Sequence, residues 1–175
     1  MKFLQFLSAL LLTLTCHAQD ETFSWETAKV SNRLPLTVSY SDFQKIYKKA
    51  DRIADAEPGQ TCGTADEANV KMVYYKGARY EMDNGIMNFR ELDFTPRKNM
   101  YFQQKDDWFD HTTTLKSFSK TYPDAALIMV TEYDENDEPT QVISLLPPEA
   151  EADCEWKFYF KDNKLQRIVC EFSCD

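Results

Sequence analysis

Glycine is scarce in this chain, four residues in 175, and proline little commoner at seven. Collagen-like, glycine-rich and low-complexity architectures are thereby excluded. The sequence has no G-x-S-x-G, P-loop or G-x-G-x-x-G motif, so the nucleophile elbow and the usual phosphate-cradling loops are missing. Histidine occurs twice, at His17 and His111, which rules out a histidine-rich metal site. Positive charge is also in deficit: 20 Lys and Arg face 29 Asp and Glu, a formal net charge of -9. Nucleic acid and anionic membrane surfaces are recognised through basic footprints, so both are excluded as general partners. What the chain has in quantity is aromatic residues, 12 Phe, 9 Tyr and 3 Trp. They are enough for a substantial core and argue against disorder.

The one long apolar run is N-terminal. Met1-Lys2 followed by Phe3 to Leu14 has the short basic start and apolar centre of an export signal, and is too short to span a bilayer. Residues 1–18 are read as a signal peptide, with Cys16 and Ala18 as the small residues before the cut and Gln19 as the new N-terminus. The rival is a lipid anchor on Cys16, disfavoured because Thr13 and Thr15 fit a lipobox poorly. No transmembrane segment is expected, and the destination is the periplasm or the extracellular space. Loss of residues 1–18 removes one Lys and no acid, taking the charge to -10.

Four cysteines remain: Cys62, Cys154, Cys170 and Cys174. An even number in an exported chain reads as two disulfides. A four-cysteine zinc site lacks any C-x-x-C knuckle. Trp156 to Phe160, the turn Lys161-Asp-Asn-Lys164 and Leu165 to Cys170 form a hairpin pattern. A three-residue loop would set Cys154 directly opposite Cys170, whereas a two-residue loop would make them miss by one position. The expected pairing is Cys154 with Cys170, leaving Cys62 with Cys174.

Residues 19–36 read as a polar N-terminal arm or edge strand. A helix is expected from Ser41, with Ser41 and Gln44 as a capping box and Phe43, Ile46, Tyr47, Ala50 and Ile53 at helical spacing, ending near Glu57-Pro58-Gly59. Strands are expected over Val70 to Tyr75, Arg79 to Met82, Ile86 to Phe94 and Asn99 to Gln103, with Asp83-Asn84-Gly85 as a hairpin turn. A second helix should start at Thr112-Thr-Thr114 and run through Leu115, Phe118 and Tyr122 to Pro123. Ala126 to Tyr133, Thr140 to Leu145 and the cysteine hairpin complete a second meander.

The halves look alike. Thr37, Phe43, Lys45, Tyr47 and Ala50 match Thr112, Phe118, Lys120, Tyr122 and Ala125 at a constant offset of 75, and Tyr74-Tyr75-Lys76 matches Tyr159-Phe160-Lys161 at 85. The expected fold class is α+β, two tandem helix-plus-antiparallel-meander repeats (37–104 and 105–175) forming a curved sheet with helices on one face. A closed β-barrel with flanking helices is the alternative. The helix motif Thr-x-x-x-x-x-Phe-x-x-x-Tyr, the aromatic strand, the Lys-Asp-Asn-Lys turn and Leu-x-Arg-Ile resemble the exported α+β repeat of β-lactamase-inhibitor proteins and SmpA/OmlA-type outer-membrane assembly lipoproteins. The resemblance implies an open sheet face that holds a protein partner. It transfers no functional residue, and this chain lacks the lipobox usual in the SmpA/OmlA group.

Catalytic equipment is sparse. Any Ser-His or Cys-His arrangement in the mature chain depends on His111, and Asp110-His111-Thr112 is already accounted for as a polar linker and helix cap. Acids provide carboxylate pairs for a hydrolase, but nothing selects one. Asp134, Asn136 and Glu138 alternate as in a calcium loop, yet Pro139 and Leu145 occupy the positions where an EF-hand needs Gly and Glu, so a solvated hairpin tip is the better reading. Among the aromatics, strand alternation sets Tyr74 and Tyr80 on one face, and puts Tyr159 opposite the Trp156, Phe158 and Phe160 set. Trp108, crowded by acids, is the best exposed anchor. These four form the candidate binding surface. The expected function is an exported non-catalytic protein-binding module without cofactor; a small-ligand carrier with an apolar pocket and a carboxylate-dependent hydrolase are the alternatives.

Overall fold

The structure, a computed structural model, describes residues 21–31, 33–57, 61, 70–148 and 154–172. Its main element is a nine-stranded antiparallel sheet. The first-half strands are β4 (Arg52–Asp55), β5 (Lys71–Tyr75), β6 (Ala78–Asp83) and β7 (Ile86–Asp93). The second-half strands are β10 (Val130–Tyr133), β11 (Pro139–Leu145), β12 (Cys154–Lys161) and β13 (Lys164–Phe172). They lie in the order β10-β11-β12-β13-β7-β6-β5-β4, with β3 (Thr37–Ser39) paired to β7. The last strand of each half therefore meets the other at the centre, Ile168 opposite Leu92. The sheet is not closed: β10 and β4 are its two ends, which removes the barrel alternative.

One face is covered by α1 (Tyr40–Tyr47), α2 (Leu115–Thr121), α3 (Pro123–Leu127) and a second sheet, ordered β2 (Leu34–Pro35), β1 (Ala28–Val30), β8 (Phe102–Gln104), β9 (Asp107–Phe109). The core between these layers is largely aromatic. Phe118 of α2 lies 4.6 Å from Phe158, 5.3 Å from Phe160 and 5.6 Å from Phe109 between ring centroids. Phe23, expected on a peripheral arm, is fully buried against Phe102, Phe109, Trp156 and Phe158. The arm is fixed there by the Phe23 N–H to Leu146 carbonyl bond and by Glu21, whose carboxylate accepts from the Asp124 and Ala125 N–H groups. Those N–H groups open α3 and have no intrahelical partner, so the charge satisfies them and complements the helix dipole.

Several boundaries differ from expectation. The first helix stops at Tyr47, because Lys48 turns into the left-handed region at φ 65°. Its cap is Ser39, which accepts from Asp42 N–H, in place of the Ser41–Gln44 box. Ile53 then lies in a strand. The second helix caps at Thr114, within the expected threonine run, with Ser117 completing a capping box. Pro123 does not end helical structure but starts α3, where its missing N–H costs nothing. The stretch Asn99 to Gln103, expected in the first meander, contributes β8 to the small sheet instead.

The cysteine hairpin is also corrected. Its loop is the two residues Asp162 and Asn163, both at positive φ, and a bulge at Tyr159/Phe160 shifts the register by one more. Cys154 consequently faces Phe172 and Cys170 faces Trp156, a same-face diagonal rather than a direct pair. Both are buried thiols, and no disulfide joins them. Burial, followed by the hydrogen bond with Cys154, pushes the Cys170 thiol far up, so that sulfur is not poised as a nucleophile. Cys62 and Cys174, like residues 1–18, expected to be an export signal, lie outside the described residues.

Candidate functional site

The face of the large sheet that no helix or second sheet among the described residues covers carries a row of contacts across six strands. The Arg52 guanidinium lies 3.8 Å over the Tyr74 ring, and Tyr74 pairs with Arg79. Arg79 bonds Glu91 at 2.9 Å, Glu91 reaches Arg167 at 4.0 Å, and Arg167 lies 4.0 Å over the ring of Tyr159. Cross-strand neighbours of this kind stabilise a sheet, and their polar atoms are mutually satisfied. Tyr159 is consequently only 5% exposed. Its burial, followed by the nearby charges of Glu132 and Glu171, holds its hydroxyl above the ordinary range.

Of the four expected surface aromatics, Tyr74 and Tyr159 share this face but stand near opposite ends of it, with β6, β7 and β13 between their strands. Tyr80 is a correction. Because Arg79 is the residue opposite Tyr74, Tyr80 faces Val73 in the core, fully buried, and its hydroxyl donates to the Pro35 carbonyl at 3.2 Å. Trp108 is 69% exposed on β9, at the edge of the other sheet. The four do not form one patch.

The candidate site lies at the β10 end, which sequence reasoning passed over. A groove of about 380 Å³ is lined by Glu132, Tyr133, Asp134, Tyr159, Lys161 and Arg167, among others. Beside it runs an exposed apolar stretch: Leu127 at 84%, Ile128 at 71%, Met129 at 39%, Val130 at 53% and Tyr133 at 68%. Every residue of β10 is exposed. The tip beyond it is held by Asp134, whose carboxylate accepts from the Asn136 and Glu138 N–H groups. Those bonds hold the carboxyl below its ordinary value. Lys161 pairs with Glu138 and lies 3.7 Å from Asp134, so the run considered for calcium is bridged by an internal cation. The sequence signal that was available is Leu127-Ile-Met-Val130, four apolar residues in succession that a single half-buried strand does not require.

His111 sits in the turn before α2, and its buried Nδ1 has no hydrogen-bond partner among the described residues. No helix among the described residues is long and apolar enough to cross a membrane. No known protein family, curated protein or solved structure matches the chain.

Proposed function

We propose that this protein is an exported, non-catalytic binding module that holds a protein partner at the β10 end of its large sheet. One observation carries the reading: Leu127, Ile128, Met129, Val130 and Tyr133 are exposed together in one short stretch of chain. Single exposed apolar residues are ordinary, but a contiguous group rimmed by charge is characteristic of an interaction surface. The neighbouring groove is partly open and lined by charged, hydroxyl and tyrosine side chains, a shape suited to another polypeptide's side chains more than to an enclosed small ligand. Export rests on the signal-like segment 1–18, which leaves a mature chain of charge -10.

An internal duplication belongs to the same reading, in a narrower form than two equal repeats. The constant sequence offsets carry Phe43 onto Phe118 and Tyr75 onto Phe160. Phe43 meets Tyr75 edge-on at 5.2 Å, and Phe118 meets Phe160 edge-on at 5.3 Å. This maps β5 onto β12, one strand away from the match that sheet order alone would give. The duplicated unit is therefore the helix with the hairpin beneath it.

The test is expression of the full chain in a secreting bacterial host, followed by fractionation, N-terminal sequencing and chemical crosslinking in place. Export with Gln19 at the N-terminus, and a crosslinked partner lost on the double change Leu127→Gln and Ile128→Gln, is the expected result. Retention in the cytoplasm, or crosslinking indifferent to both changes, contradicts the reading.

A further inference from the structure

We propose that β10 accepts a partner by strand addition, and that the added strand is an extended polypeptide segment alternating apolar with basic residues. This rests on the binding reading above and specifies its mode and chemistry. The hydrogen-bond phase of the β10–β11 ladder is set by Asp134, whose N–H donates to the Glu138 carbonyl at 3.2 Å. Residues of an antiparallel pair alternate between bonded and non-bonded positions. With Glu132 opposite Thr140 and Val130 opposite Val142, those two residues bond inward to β11. The N–H and C=O groups of Thr131 and Tyr133 then point away from the sheet, a row of donors and acceptors at its end. A strand laid there satisfies all four.

Side-chain alternation gives the partner's character. Val130 and Glu132 share the uncovered face with Val142 and Tyr159, while Thr131 and Tyr133 share the other face with Gln141 and Ile143. An added strand therefore presents one set of side chains beside Glu132 and the groove, and the alternate set beside exposed Tyr133. The charge that β10 and the tip after it contribute is acidic, while the cations of the groove, Lys161 and Arg167, come from β12 and β13. Glu132, Asp134, Glu135, Asp137 and Glu138 stand in or directly after β10, and Lys161 is the cation paired among them. Glu132 is in no ion pair among the described residues. Basic residues complement this side and apolar ones the other. A second copy of the chain fits less well, since β10 carries no Lys or Arg to offset the facing acids.

The test is fluorescence anisotropy of the full chain with two labelled nonapeptides, one alternating valine and lysine, the other valine and glutamate. The valine–lysine peptide should bind about tenfold more tightly, with the margin shrinking as salt is raised. Thr131→Pro removes an outward N–H without touching the ladder to β11, a change an edge strand tolerates. It should weaken binding about tenfold while the circular dichroism spectrum is retained. Glu132→Lys, which leaves the backbone row intact, should erase or reverse the charge preference. Unchanged binding in folded T131P overturns strand addition, and equal affinity for the two peptides overturns the charge assignment. Sedimentation showing self-association that T131P abolishes makes the occupant a second copy and also overturns the proposal. If the Leu127/Ile128 double change removes crosslinking while T131P does not, strand addition falls and the binding surface stands. If neither change has an effect, both fall.

Discussion

Replacing Leu127 and Ile128 with glutamine separates what folding needs from what binding needs. Complete burial of a Leu or Ile side chain contributes ~1.5–3 kcal/mol. Leu127 is 84% exposed and Ile128 71%, so the buried remainder contributes about 0.2–0.5 kcal/mol for the first and about 0.4–0.9 for the second. Glutamine is a good helix former and suits the last turn of α3, so propensity adds little. The double variant should therefore lose only about 1 kcal/mol in urea unfolding. A partner that covers the exposed remainder of both side chains gains up to about 2–5 kcal/mol from them, a ceiling because ordering the surface offsets part of it. That corresponds to between about 30-fold and about 5000-fold in affinity. Wild-type protein should also enhance the fluorescence of an apolar dye, and the double variant should lose most of that signal. A stability loss above about 2 kcal/mol would refute the reasoning, because it would make these side chains part of the core.

Gly77 and Gly85 sit at φ 90° and 80° in successive hairpins, yet their substitution by alanine should differ in cost. Both changes incur the left-handed penalty of about 1–2 kcal/mol, but a Cβ at Gly77 would stand 2.3 Å from the Asp93 carbonyl oxygen, whereas Gly85 has nothing within 4 Å. In urea unfolding, Gly77→Ala should exceed Gly85→Ala by about 1–3 kcal/mol, and equal costs would show that the β6 to β7 packing is looser than described. Alkylation without reductant should modify Cys154 and Cys170 only after denaturation, since both are buried thiols, and a peptide joining them by a disulfide would contradict the diagonal register. The Asp134 carboxyl is held down by the Glu138 and Asn136 N–H bonds. Its turn is therefore fully supported above the ordinary aspartate range and loosens as pH falls through the lower folded value. An NMR titration midpoint at or above that of an unstructured aspartate would remove this role.

Local signals were legible where chemistry is local. Asp83-Asn84-Gly85 announced its turn because Asn84 and Gly85 tolerate the positive φ they adopt. Thr114 announced a cap because its hydroxyl can satisfy a first-turn N–H. Errors arose where tertiary contacts decide. Ala50 and Ile53 continue a helical spacing, but Asp51 is drawn across to the Lys76 N–H, and the chain pairs Ile53 with Val73 as a strand. The two-residue loop already sets Cys154 and Cys170 one position out of register, and the Tyr159/Phe160 bulge, which counting loop residues cannot reveal, adds one more and leaves them on a diagonal. Counting through the Lys76-Gly77 turn as if the strand ran straight puts Tyr80 on the face of Tyr74, whereas the turn sets it opposite Val73. The β10 surface was half legible: its apolar run is in the sequence, but its position at the sheet end is a property of topology.

The two ends of the large sheet show why the apolar one is better read as a binding edge than as an accident of folding. Exposed edges invite aggregation, and proteins usually blunt them with charge. β4 is blunted: Arg52 lies over Tyr74, and Asp55 pairs with Lys71, so one cation and one anion flank Ile53. β10 has no cation, its residues are all exposed, and the apolar residues Leu127, Ile128 and Met129 lead into it. An edge left in that condition needs protection from its own copies. The acids supply it, since two copies of net charge -9 repel and each would bring Glu132 and the Asp134–Glu138 tip toward the other. The same acids attract a basic strand. The deficit of Lys and Arg thus works against self-pairing at this edge and, on the proposed reading, leaves it complementary to a strand of opposite charge.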